Sequence, residues 1–172
     1  MPQLYQVSLE NNYYTFITQH NIIYRILFNT DNTDIFKGYD DLLFNLKVLS
    51  ITQINQHDEI IPLDLCVRNT ICDLIKKILQ NDINLVLFFI LDDNDSKSYK
   101  RLFTFIRWNQ YCENLGNYDF NFSHFNFKQT DDFIGEMGFA GYIIKDTNPL
   151  KHDIKKWEVE IQYKINVQKD IF

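Results

Sequence analysis

Small residues are scarce in this chain of 172 residues: alanine occurs once, at Ala140, and glycine five times. That excludes a collagen-like repeat, and it means that any core is filled by large rings and by Ile and Leu with few spacers. Cysteine occurs three times, at Cys66, Cys72 and Cys112. An odd count without CxxC spacing implies neither a disulfide framework nor a zinc knuckle, and the expectation is reduced, buried thiols. Long apolar runs are missing as well. The longest, LVLFFIL over 85–91, is far too short to cross a bilayer. The opening MPQLYQVSLENN offers no basic n-region and no apolar h-region, so the expectation is a cytoplasmic protein with no membrane attachment. Basic residues are outnumbered, 17 to 23, and residues 1–64 carry three of them against eight acidic residues. A nucleic-acid partner is therefore not expected, because a phosphate backbone calls for a basic patch.

What is present is a large apolar fraction, 45%, and aromatics at 16% of the chain. Length and composition fit one globular domain over 1–172. The first quarter alternates with period two. Tyr5, Val7 and Leu9 share a face, Asn11 and Asn12 make a turn, and Tyr14, Phe16 and Thr18 lead to a second turn at Gln19 to Asn21. Ile22 to Phe28 forms a third strand, and Phe44, Leu46 and Val48 mark a fourth, giving an antiparallel meander with one buried face.

Pro62 and Asp64 open a helix to Asn81, with Asp64 as N-cap and an apolar stripe from Val67 to Leu79. Arg68 projects on the apolar side of its first turn, where a cation needs an acidic partner or a route to water. The run NLVLFFIL reads as a buried central strand, and Ser98 to Glu113 as a second main helix with Lys100 and Arg107 facing water. YDFNFSHFNF reads as a strand with a bulge near Ser123. A short helical turn near Asp131 to Met137, a strand FAGYIIK and a C-terminal strand follow, the last marked by alternation from Trp157 to Val167. The fold class expected is α+β.

Chemistry is concentrated in few places. Asp92, Asp93 and Asp95 follow the buried strand directly, a position where open sheets place ligand sites; the alternative is polar loop residues, one of which caps the next helix. Lys97 occupies the position where a calcium loop needs Gly. Arg101 and Trp108 lie seven apart on one stripe with Phe105, either as ordinary stacking or as an anion clamp. Arg68 is expected to pair with Asp92 or Asp95. The four histidines have no ligand spacing and no serine has a GxSxG setting, so no metal, cofactor or nucleophile is implied. The candidate site is thus Arg68, Asp92, Asp93, Asp95, Lys97, Arg101 and Trp108.

The runs DLCVRNTICDLIKKIL and NLVLFFILDDNDSKSYKRLFTFIRWNQY resemble the central signature of an uncharacterised bacterial family, domain of unknown function 6169. Asp64, Thr70, Ile71, Asp92, Asp95, Lys97, Arg101, Phe105 and Trp108 match that pattern, while Leu91 stands where the family has Cys and Asn21 where it has a turn Gly. The resemblance implies no established activity. The functional expectation is a non-catalytic module that binds a protein partner or a small anionic ligand. Its alternative is a metal- or phosphate-dependent enzyme with its site in the Asp92 to Arg101 segment.

Overall fold

A computed structural model describes residues 3–30, 40–55, 64–91, 97–114, 119–128 and 137–167. Ser8–Glu10 (β1) turns through Asn11 and Asn12 into Tyr13–Ile17 (β2). Glu10 pairs directly with Tyr13, so the turn holds two residues, and both have left-handed backbones, with φ of 48° and 69°. A two-residue hairpin needs that conformation, and Asn tolerates it better than other side chains. Asn21, with φ 58°, serves the next turn into Ile23–Asn29 (β3). Here Thr18 Oγ1 accepts from the backbone N–H groups of His20 and Ile22, at 3.3 and 3.1 Å.

A short helix, Asp40–Asn45 (α1), leads into Leu46–Gln53 (β4). The fourth strand therefore starts later than its pattern announces, and Phe44 sits on the helix, 90% exposed. Leu65–Asn81 (α2) crosses over to Val86–Leu91 (β5), which runs parallel to β4, and Ser98–Asn114 (α3) follows. Both long helices fall where the apolar stripes put them, and Asp64 Oδ1 caps α2 by accepting from the Cys66 N–H at 2.9 Å. Phe120–Lys128 (β6) and Met137–Lys145 (β7) are antiparallel neighbours, and the sheet order is β1-β2-β3-β4-β5-β7-β6. The fold is α+β, with a mostly antiparallel seven-stranded sheet in which β5, an inner strand beside the middle one, is buried except at Ile90.

Two expectations are corrected. The register of β6 against β7 is unbroken from Phe120–Lys145 to Lys128–Met137, so the strand has no bulge near Ser123. Its aromatics change face because the sheet is covered on both sides: Phe120 and Phe122 join the core under α2 and α3, and Phe125 joins the core on the opposite face. The C-terminal strand is a helix, Lys151–Val167 (α4). Its start is set by Asn148, whose Oδ1 accepts from the Leu150 N–H at 2.8 Å, with Asp153 in the first turn. Ile154 and Trp157, three apart, are fully buried, while Val159, which a strand would place beside Trp157, is exposed. Burying one such large side chain stabilises by about 1.5–3 kcal/mol, so packing at helical spacing outweighs the alternating pattern. The expected turn over 131–136 lies outside the described residues, and Met137 opens β7.

Tight packing across β5 and β7 rests on one glycine. Phe89 stacks between Phe105 and Phe122 at centroid distances of 5.0 and 5.5 Å, over Gly141. A Cβ there would run into Phe89 Cζ and the Ser123 carbonyl oxygen. No helix among the described residues is long and apolar enough to cross a membrane.

Candidate functional site

The sheet parts at its one parallel junction. Among the described residues the ladder between β4 and β5 holds Leu46–Val86, Lys47–Leu87 and Val48–Phe88 and then ends. Both strands continue, β4 paired with β3 as far as Gln53 and β5 paired with β7 as far as Leu91. Beyond this point lies a cleft of about 390 Å³, bounded by the β2–β3 turn, the end of β4, the first turn of α2, and α3. Its walls are Thr18, Ile22, Tyr24, Gln53, Asp64, Leu65, Val67 and Arg68, faced by Thr104, Arg107 and Trp108 from α3. Crevices at the carboxyl ends of parallel strands are where open sheets generally accept ligands.

The cleft is built on an aromatic stack. Tyr5, Phe16 and Tyr24 lie ring over ring, with centroids 5.7 and 5.2 Å apart and planes within 8° and 13°. Tyr5 Oη donates to Asp64 Oδ2 at 2.5 Å and accepts from the Gln19 N–H at 3.2 Å. Both oxygens of Asp64 are thus engaged, one by the helix cap and one by Tyr5. Burial pushes the phenols of Tyr5 and Tyr24 above their ordinary range, and the Asp64 carboxylate adds to the effect on each. Those hydroxyls stay protonated at neutral pH.

Among the described residues that line the cleft, two arginines, Arg68 and Arg107, accompany one carboxylate, Asp64, which is already committed to the fold. The Arg68 guanidinium lies 3.3 Å from the centroid of the Tyr111 ring, and its Nε and Nη2 donate to Asn69 Oδ1 at 3.3 and 3.2 Å. Stacking on an aromatic face and a fork held by one amide oxygen fix the orientation of the group, and a guanidinium carries five N–H donors, of which these bonds use two. Trp108 packs beside Phe105 at 5.8 Å, so the indole is anchored from the core side while lining the cleft. The arrangement suits a ligand with an anionic group and a flat or apolar part.

The sequence candidates divide. Arg68 and Trp108 come together in the cleft. Arg101 sits in the first turn of α3, its backbone N–H donating to the Lys97 carbonyl at 3.0 Å, and neither it nor Lys97 lines the cleft. Asp92, Asp93 and Asp95 lie outside the described residues, and with them the expected pairing to Arg68. The described partners of Arg68 are Asn69 and Tyr111. Arg107, read as facing water, is exposed and yet forms one wall of the cleft together with Thr104. Helical periodicity separates the inner from the outer face of α3, but it carries no sign that the β2–β3 turn and the end of β4 lie across from that outer edge. Among the described residues no group of three His, Cys, Asp or Glu side chains is placed to hold a metal ion.

No protein-family model matches the chain, and no curated protein matches it. A solved structure that resembles it is the AHL synthase LasI, with 14% sequence identity over 86% of this chain and 78% of that chain, at a TM-score of 0.41. The expectation of a non-catalytic module is corrected at this point. It rested on missing motif spacings alone, and a missing spacing does not exclude catalysis, because the same chemistry recurs on unrelated scaffolds without a shared motif. A likeness of that degree assigns no activity to this chain.

Proposed function

We propose that this protein binds a small organic anion in the cleft between α2 and α3, with Arg68 and Arg107 on the charged group and Trp108 against a flat or apolar portion. The observation that carries the reading is the convergence of two arginines and an anchored indole on one crevice, at the carboxyl end of β4 where it has parted from β5. Gln53, the last residue of β4, belongs to both features, so an extended ligand has a path from the charged end toward the gap in the sheet.

Isothermal titration calorimetry with a panel of nucleoside phosphates, aromatic carboxylates and aliphatic carboxylates tests this. At least one class is expected to bind, with affinity that falls as salt is raised. Arg68→Ala should weaken that binding about 10- to 100-fold, the range of a charge-assisted hydrogen bond held by a half-buried group. Arg107→Ala, on an exposed side chain, should weaken it by about fivefold or less. Circular dichroism of each variant checks that the fold is kept. Absence of binding across the panel, or binding indifferent to both Arg68→Ala and Trp108→Ala, would overturn the proposal. Mass spectrometry of the bound compound after incubation reads any chemical conversion in the same experiment.

A further inference from the structure

Arg68 is gripped by a residue that does not itself line the cleft. Its Nε and Nη2 both donate to Asn69 Oδ1, at 3.3 and 3.2 Å, and Asn69 is not one of the walls. Neighbouring positions on a helix point about 100° apart and do not ordinarily face each other. A long side chain that meets the next residue is therefore folded back along its own helix, and something has to hold it there. Tyr111 does so on one face, with its ring centroid 3.3 Å from the guanidinium carbon, and Asn69 does so on one edge.

Asn69 has an anchor of its own. Its Nδ2 donates to the Gln3 carbonyl at 3.3 Å. An amide carries its donors on one end and its acceptor on the other, so turning the nitrogen to Gln3 turns the oxygen to Arg68. Gln3 in turn belongs to a strap laid along α2. The Tyr5 N–H donates to Thr70 Oγ1 at 2.9 Å, Thr70 Oγ1 donates to the Cys66 carbonyl at 2.7 Å, and the Tyr5 hydroxyl donates to Asp64. The segment over 3–5 thus meets α2 and its cap at three side chains, and the orientation of Arg68 traces back to it through Asn69.

We infer that Asn69 is a positioning residue of the cleft, turning Arg68 so that the Nη1 and Nη2 end of the guanidinium, and not its Nε edge, is offered to the ligand. The inference rests on the reading of the cleft as an anion site. With the Nε edge filled by Asn69 and one face by Tyr111, what remains to present is the far end of the fork, where one N–H on each terminal nitrogen runs parallel. Two parallel donors match two oxygens of one oxyanion, so the ligand is gripped end on and in a fixed plane. The Asn69 oxygen is also neutral. It orients the cation without cancelling its charge, which an aspartate in its place would do.

The experiment uses the full chain, isotopically labelled on nitrogen, and follows the Nε–H signal of Arg68, identified by its loss in Arg68→Lys. In the free protein this proton should exchange slowly with water, and several-fold faster in Asn69→Ala. Benzoate, succinate and adenosine monophosphate are then titrated into each variant. Asn69→Ala should weaken the binding of any of them that binds by about 2- to 10-fold, the range of one ordinary hydrogen bond, with no further loss when placed on Arg68→Ala. Asn69→Asp should keep the Nε–H protected and yet bind more weakly than Asn69→Ala, because its carboxylate takes up the charge of Arg68. A residue serving only the fold would give the reverse order, since Asp is the closest in shape to Asn. Unchanged Nε–H exchange in Asn69→Ala would show that Tyr111 alone holds the group and would overturn the inference. So would an Asn69→Asp protein that binds as tightly as the unaltered chain, or an Asn69→Ala loss that persists on Arg68→Ala. If none of the three anions binds, it is the reading of the cleft that fails, and the Nε–H exchange of the free protein still decides whether Asn69 positions Arg68.

Discussion

Tyr142 illustrates how a single buried polar group ties the sheet to the last helix. It is 3% exposed, and its hydroxyl donates to Glu158 Oε2 at 3.0 Å, while Ser123 Oγ donates to the same carboxylate at 3.4 Å. Burial, joined by the charge and hydrogen bond of Glu158, pushes the Tyr142 hydroxyl up to about 12 from an ordinary value of 10. The folded chain thus keeps its proton where the unfolded chain gives it up, so stability from this group is complete below pH 10 and drains away as pH climbs to about 12. Tyr142→Phe should cost about 1.5–3 kcal/mol at neutral pH, the worth of a hydrogen bond to a charged acceptor. It should also flatten the loss of stability between pH 10 and 12. Urea titrations of both proteins across that interval read the effect, and equal slopes would show that folding does not hold the Tyr142 proton.

At the level of elements, the start of α4 depends on Asn148. This buried side chain accepts from the Leu150 N–H and donates from Nδ2 to the Leu85 carbonyl at 3.1 Å, joining the helix to the residue before β5. Asn148→Ala removes a cap and leaves a buried carbonyl without that donor, and a loss of about 2 kcal/mol is expected in thermal or urea unfolding. That cap also explains what the sequence concealed. Alternation from Trp157 to Val167 imitates a strand, while the competing signal is local: Asn148, Pro149 and Asp153, the residue types of a helix start. The long helices α2 and α3 were legible because Val67, Ile71, Leu74 and Leu79 in one, and Leu102 and Ile106 in the other, repeat at helical spacing against a single core. β6 was misread because a strand covered on both faces has no polar side to fix its phase. Within the site, Arg68 stood out as a cation on an apolar face. Arg107 did not, since its neighbours across the cleft come from the first third of the chain.

For the molecule as a whole, the sheet order sets which strands are enclosed and which are terminal. β5 and β7 lie inside, whereas the two ends are β1, three residues long, and β6, nine residues long. A three-residue edge offers little to a neighbour. β6 is different: its ladder partner is β7, and it carries Phe120, Phe122 and Phe125 within six residues. Among the described residues this long aromatic edge has one side unmatched, and such an edge is a template on which a strand from another molecule can form hydrogen bonds. His124, exposed in the middle of that strand, is where a fixed charge would interfere most with such growth. His124→Lys should leave unfolding stability within about 0.5 kcal/mol and slow the appearance of light-scattering or thioflavin-positive aggregates on mild heating. Unchanged aggregation would assign the template to another surface. Natural sheets commonly guard a long edge with lysine, whereas the centre of this edge carries a histidine and its lysine stands only at the last position, Lys128.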